Sequence, residues 1–299
     1  MKKRMIILLS LIIAALYPVV YGENSSFTFL RMGNGARPAA LSEAVTALPG
    51  DITSAFYNPG TLAVFDGKNQ LAFAHNSFFG DVSQNMIYAG FKGTGLTFGG
   101  YISAGSIGKI QRRGDIATPE PLGEFSEDNF VAAFMLGASK RELSIGLALK
   151  YAYDKIDYAS ANSFMFDLGF LYRIDSQLRL GAALKNFGTK PKYIDESYQL
   201  ATEYRLGLSY KPRILKEKIE LAADGVFFND NTDSKINLGI EYQEPALFAL
   251  RAGYGFGYDS RGFSVGAGLI HKMLKFDYAF VPYKNDLGNT HRFTLIITI

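Results

Sequence analysis

The 299-residue chain contains no cysteine, no tryptophan and only three histidines. Without cysteine there is no disulfide framework, no thiolate chemistry and no Cys-ligated metal. The histidines, His75, His271 and His291, are too widely spaced to supply a recognisable ligand set. Long apolar runs are missing too: beyond residue 22 nothing approaches the roughly 18 unbroken apolar residues of a spanning helix. Net charge is nearly absent. The formal +3 comes from 31 Lys+Arg against 28 Asp+Glu, and Lys2, Lys3 and Arg4 alone account for that excess. A balanced remainder offers no concentrated basic face, so a nucleic-acid groove is excluded and no nucleic-acid partner is expected. No cofactor is expected either. The fragment GNGARP lacks the third glycine of a dinucleotide fingerprint, and no strand leads into it.

What is present begins with MKKRMIILLSLIIAALYPVVYG. Three cations precede an apolar core from Met5 to about Leu16, and Val20 and Gly22 offer small residues for cleavage before Glu23. Residues 1–22 therefore have the layout of an export signal, interrupted by Ser10 and Pro18 and too short to be an anchor.

From Asn69 onward the sequence alternates with period two, as side chains do across a strand. Leu178, Leu180, Ala182 and Leu184 fall on one face and Arg179, Gly181, Ala183 and Lys185 on the other. Phe164, Phe166, Leu168 and Phe170 oppose Asp167 and Gly169, and Tyr204, Leu206, Leu208 and Tyr210 oppose Glu203, Arg205 and Gly207. About 14 such segments of roughly 10 residues follow one another, the length a tilted strand needs to cross a bilayer. The large apolar residues share one face of nearly every segment, while glycine, alanine, serine and charges share the other. A soluble sandwich keeps its grease inside; a barrel in lipid turns it outward. The expected fold is all-β: a transmembrane antiparallel up-and-down barrel over residues 69–299, of about 14 strands, in an outer membrane and surrounded by its lipid.

The connections agree with this. Links after even-numbered segments are mostly short (KGTG, ASKRE, IHKM), and several after odd-numbered ones are long and polar, among them 105–127, DKIDYASAN and FGTKPKYIDES. Short turns belong on the periplasmic rim of such a barrel, where both termini are expected. KPRILKEK, after the eighth segment, is an exception. On the polar face, Arg205, Glu220 and Lys235 are placed to pair across the ladder, as are Asp167 and Arg179.

A lumen of this width needs a filling. Residues 23–68 differ from the rest: Ala39 to Leu48 is a helix-permitting run, Asp51 and Thr53 are placed to cap a second short helix, and Pro59 with Gly60 ends it. Small helices threaded inside the barrel as a hatch are the expectation; the plainer alternative is a tail that merely leads into the first strand.

These residues carry a family resemblance. FLRMGNGARPAALSEAVTALPGDITSAFYNPGTLAVF resembles the amino-terminal signature of the PorV/PorQ family through Gly35, Ala36, Arg37, Glu43, Asp51, Asn58, Pro59 and Gly60. FDYAFVPYKNDLGNTHRFTL is similar to that family's carboxy-terminal segment through Pro282, Leu287, Gly288, Thr290, His291 and Arg292. Ser42 stands where the family has glycine, and Gly60 replaces the alanine of Asn-Pro-Ala. The family belongs with the FadL-like barrels, so the resemblance implies a 14-stranded barrel with an internal hatch. It further implies a docking or shuttle role in protein secretion of the type IX kind, with secreted proteins or secretion components as partners. The alternative it implies is FadL-like passage of a hydrophobic ligand past the hatch and through a gap in the wall.

For such a gap, Gly99 and Gly100 in the third segment are the candidates, since paired glycines mark a bulge or a close backbone approach; glycines easing wall curvature are the bland reading. The segment 105–127 is the candidate partner-contact loop. Catalysis has one thin hint, His75 and Ser77 two apart on one strand face, with no third residue to orient the histidine. The protein is not expected to be an enzyme.

Overall fold

The computed structural model describes residues 25–67, 69–116, 118–230 and 233–299; the predicted export signal lies outside them. Fourteen antiparallel strands close into a barrel. They are β1 (Asn69–Ser77), β2 (Val82–Lys92), β3 (Thr97–Arg112), β4 (Gly123–Lys140), β5 (Leu143–Ile156), β6 (Ala159–Arg173) and β7 (Leu178–Gly188). The second half comprises β8 (Glu203–Tyr210), β9 (Ile219–Phe228), β10 (Lys235–Glu244), β11 (Phe248–Phe256), β12 (Phe263–His271), β13 (Leu274–Pro282) and β14 (Asn289–Thr298). Each strand pairs with its sequence neighbours, and β14 closes on β1 with Leu295 opposite Phe73. Ile299 adds two backbone hydrogen bonds to Asn69, so the seam is bonded to its last residue.

Closure leaves no sheet edge, which a chain in hydrocarbon requires because every backbone N–H and C=O must be paired. The alternation then sorts the side chains. Ile87, Phe134, Phe164, Leu208, Ile240 and Phe276 point outward and are all well exposed, whereas Arg205, Asp224, Glu241, Arg251 and Asp277 point inward and are buried. An apolar exterior over a charged interior suits lipid outside and a polar lumen inside.

Residues 27–67 fill that lumen. They contain one short α-helix, Ala36–Ala40, and three 3-10 turns, Thr28–Arg31, Ile52–Phe56 and Pro59–Val64. Four expectations are corrected. Helix is found at Ala36–Ala40, not across 39–48, because Ser42 and Glu43 take left-handed conformations (φ 51° and 67°) that stop it. Asn-Pro-Gly does not merely end a helix: Asn58 caps the next turn, accepting from the Gly60 N–H, with Pro59 in first position. The long polar segment 105–127 is mostly strand, leaving only residues 113–122 as a link, and DKIDYASAN shrinks to a two-residue turn. The ladder there continues past the apolar band with polar residues on both faces, as in the Ser106–Asp128 hydrogen bond of 2.8 Å, so hydropathy no longer marks it as strand. Finally, Ser25–Ser26 pairs in parallel with Gln199–Leu200 on the link between β7 and β8. The described chain thus starts at the long-loop rim and crosses the lumen to reach β1 at the opposite rim.

Candidate functional site: the hatch, its seat and the wall

The hatch rests on backbone. Inward-facing glycines on successive strands form a belt: Gly90 faces Gly99, Gly137 faces Gly146, Gly146 faces Gly169, Gly181 faces Gly207 and Gly239 faces Gly253. A Cβ added at Gly146 would lie 2.0 Å from the Pro59 carbonyl oxygen, and one at Gly169 would lie 2.2 Å from Asn58 Oδ1. At Gly181 it would meet the Thr46 carbonyl oxygen at 2.2 Å, and at Gly253 the Leu41 carbonyl carbon at 2.4 Å. Only hydrogen fits between the hatch main chain and the wall at these positions. Gly60 is pinched from the hatch side, where a Cβ would lie 2.9 Å from Phe170 N. Gly60, where the pattern it resembles has alanine, thus lies where a side chain would press on the wall. Asn58 completes the seat, its Nδ2 donating to the carbonyls of Thr46 (2.6 Å) and Phe170 (2.9 Å).

Ion pairs fix the other side. Arg37 donates through Nε to Glu241 at 2.9 Å, and through its terminal nitrogens to Ser54 Oγ and the Pro49 carbonyl. Glu241 also lies 3.5 Å from Arg251, which pairs with Asp277 at 2.7 Å, and Lys275 bridges Asp277 (3.3 Å) to the hatch residue Asp51 (2.9 Å). A second network centres on Asp224, whose Oδ2 accepts from Val45 N, Thr46 N, Thr46 Oγ1 and Arg205. Arg205 in turn donates to Glu203 and to the Glu43 carbonyl. Glu43 is held by Arg261 at 2.8 Å. Burial pushes its carboxyl up, but Arg261 first and then Arg292 outweigh this and hold it down to about 2. For Asp51, burial is likewise overcome by Lys275 and Arg37, so the group sits well below the usual carboxylate range.

The charge pairing expected on the inner face is present with other partners. Arg205 binds Glu203 and Asp224, Glu220 binds Arg179, Asp167 binds Lys150, and Lys235 donates to the Gly257 carbonyl. The expected pairings assumed facing neighbours; the register puts Arg205 opposite Val226 and Ala183, and the long side chains reach diagonally and across to the hatch.

A buried pair is costly to break because the remaining charge keeps no partner. Arg37→Met is accordingly expected to weaken hatch docking by about 3–5 kcal/mol, read as a lower urea midpoint for proteolytic cleavage within residues 27–67 while the barrel itself stays folded. An unchanged midpoint would mean that the glycine belt alone carries docking.

The two segments of the family resemblance meet inside the lumen. Arg292 Nη1 donates to the Gly33 carbonyl at 2.7 Å, and the Ala36 N–H donates to Thr294 Oγ1 at 2.8 Å. Gly35 takes φ 82° at the start of the short helix. Pro282 ends β13, Leu287 is exposed in the turn, Gly288 takes φ 94°, and Thr290 is buried on β14. His291 points outward and its Nδ1 lies 2.8 Å from the Tyr278 hydroxyl. His75 also lies on the outer face, bonded to Asn85 at 2.8 Å.

The inner wall of β2 to β6 is different in kind. Met86, Tyr88, Tyr101, Val131, Met135 and Met165 are buried there, and Phe56 of the hatch packs edge-on against Tyr101 at 5.5 Å. Directly behind, on the outer face, lies a groove of about 710 Å³ floored by Ala89, Gly100 and Ala132 and walled by Ile87, Ile102, Phe134, Leu149 and Phe164. Gly99 faces inward against Leu62, and Gly100 faces the groove. The ladder runs through both glycines without interruption; register shifts occur instead between Ile107 and Ile110 and between Phe166 and Leu168. Toward the short-turn rim, below the hatch, a polar vestibule of about 450 Å³ is lined by Arg37, Asp51, Arg141, Arg173, Lys211 and Lys272, among others.

The belt and the apolar quadrant were missed in the sequence. The signal was there: inward positions of consecutive strands that hold glycine at matching registers, and the three methionines within strands, Met86, Met135 and Met165, all on the inward face of β2, β4 and β6.

No protein-family model matches this chain, and no curated protein does. Solved structures do. The TodX deltaS2S3 mutant, a monoaromatic hydrocarbon channel, matches with a TM-score of 0.62 at 13% identity over 89% of this chain and 98% of that one. The P. putida toluene transporter TodX matches with 0.61 at 13% identity over 86% and 96%. A Pseudomonas aeruginosa FadL homologue matches with 0.55 at 13% identity over 89% and 98%. At such identities the likeness establishes the fold, which is that of the FadL-like barrels.

Proposed function

We propose that this protein is an outer-membrane channel for a hydrophobic small molecule, closed at rest by its hatch. The carrying observation is the back-to-back placement of the outer apolar groove and the buried Met/Tyr quadrant of the lumen, separated at Ala89, Gly100 and Ala132 by little more than backbone. Methionine-rich surfaces adapt to apolar guests of varied shape. A compound dissolved in the bilayer reaches the groove without crossing water, and the hatch residue Phe56 stands on the inner side. That TodX is named as a monoaromatic hydrocarbon channel and toluene transporter supports this reading.

The test is uptake of a radiolabelled monoaromatic hydrocarbon by proteoliposomes. Ala132→Phe fills the groove from the lipid side without touching the hatch, and uptake is expected to fall to that of protein-free vesicles. Uptake equal to the unsubstituted protein would remove the groove from the route.

A second reading, docking of exported proteins in the PorV/PorQ manner, rests on the sequence resemblance alone, carried by GNGAR and NTHR. Pull-down from native membranes separates the two: co-purifying exported proteins favour docking, and a bound apolar compound alone favours transport.

A further inference from the structure

The link between β8 and β9, residues 211–218 (KPRILKEK), is out of place on its rim, where the other links are two to four residues long. It contains a 3-10 turn, Ile214–Glu217, and leaves Ile214 60% exposed beside the exposed cations Arg213 and Lys216. The nearby acids are already engaged. Asp175 accepts from the N–H groups of Gln177 (2.7 Å) and Leu178 (2.9 Å), and Glu244 accepts from Lys218 (2.6 Å) and Tyr242 (3.0 Å). Arg213 and Lys216 have no hydrogen bond or close ion pair among the described residues, although Arg213 acts on Asp175 and Lys216 on Glu244 from longer range; Glu217, exposed, is the one further acid of the link.

Depth is set by the aromatic residues. The outward faces of β6 and β8 end on this side at Tyr172 and Tyr210, and that of β10 carries Tyr242 one outward position before its last residue, Glu244; tyrosine is a residue type that marks the membrane–water boundary. The link begins one residue beyond Tyr210. The whole rim has the matching sign: its links carry six basic residues (Arg141, Lys211, Arg213, Lys216, Lys218 and Lys272) against three acidic ones (Glu142, Asp175 and Glu217). The links of the opposite rim have ten acidic residues against five basic.

We propose that residues 211–218 bind an anionic phospholipid, with Ile214 inserted among the acyl chains and Arg213 and Lys216 on the headgroup phosphate. An exposed isoleucine flanked by unpaired cations at headgroup depth suits a ligand that is apolar at one end and anionic at the other. The inference rests on the chain being a membrane barrel and is independent of what the barrel passes.

Native mass spectrometry of the detergent-solubilised full chain, titrated with phosphatidylglycerol and with phosphatidylcholine, tests it. Unsubstituted protein is expected to retain phosphatidylglycerol preferentially, and each of Arg213→Gln and Lys216→Gln to lower that affinity about five-fold, the loss of one cation near an anionic surface. Ile214→Ser is expected to weaken both lipids. Heat-modifiable gel mobility verifies that each variant's barrel is intact. Equal retention of the two lipids, or a preference unmoved by both charge substitutions, overturns the proposal. So does displacement of the lipid by equimolar glycerol 3-phosphate, which would make the link a site for phosphate alone, or preferential capture of an acidic peptide.

Discussion

Excision of residues 25–66 is expected to leave a folded barrel that conducts freely in planar bilayers, where the full chain passes almost no current. The wall has its own complete ladder from β1 to β14, and none of its strand-to-strand hydrogen bonds depends on the hatch. What the hatch supplies is filling: residues 33–48 and 51–62 are buried throughout. Without them, Arg205, Asp224, Glu241 and Arg251 face water, and the hydration they gain offsets the partners they lose. Current indistinguishable from that of the full chain would show that the lumen closes by some other means.

Enlarging the belt should have the second-largest effect. A valine at position 169 brings its Cβ to 2.2 Å from Asn58 Oδ1 and 2.4 Å from Gly60 N, well inside contact distance, before its two methyl groups are placed. The obstacle on the hatch side is Asn58 with the Pro59–Gly60 backbone, which has nowhere to retreat because Asn58 is also tied to Thr46 and Phe170. Gly169→Val is therefore expected to unseat the hatch, producing conductance bursts and rapid cleavage within residues 27–67, at a cost of about 1–3 kcal/mol or more of overpacking. Gly108→Ala is the control, because a Cβ there meets nothing within 4 Å. Quiet, protease-resistant Gly169→Val protein would mean that the hatch has room to shift, against the contact geometry described.

The barrel was legible because lipid imposes a period of two on nearly every strand, and all fourteen strands begin within a few residues of where the alternation does, β4 excepted. The strand ends at the long-loop rim were not legible: beyond the bilayer both faces of β3 and β4 are wet, so the hydropathy signal vanishes while the hydrogen bonds continue. Asp51 was readable as a cap, since its carboxylate accepts from the Thr53 N–H at 3.1 Å. The partners of Arg37, Glu43 and Arg205 were not, because they depend on a hatch conformation that no local rule predicts. Ser42 illustrates the limit. It stands where the pattern it resembles has glycine and takes φ 51° regardless, held by its N–H to Ser264 Oγ at 3.1 Å.

The way the chain enters the lumen also constrains how the molecule is made. Segments that touch ten of the fourteen staves at glycine positions are shaped to the finished ring and too branched with buried charge to be fed through it afterwards. In the full chain this mandrel is therefore expected to be in position before the join between the first and last staves shuts, whereas a chain lacking it shuts around water.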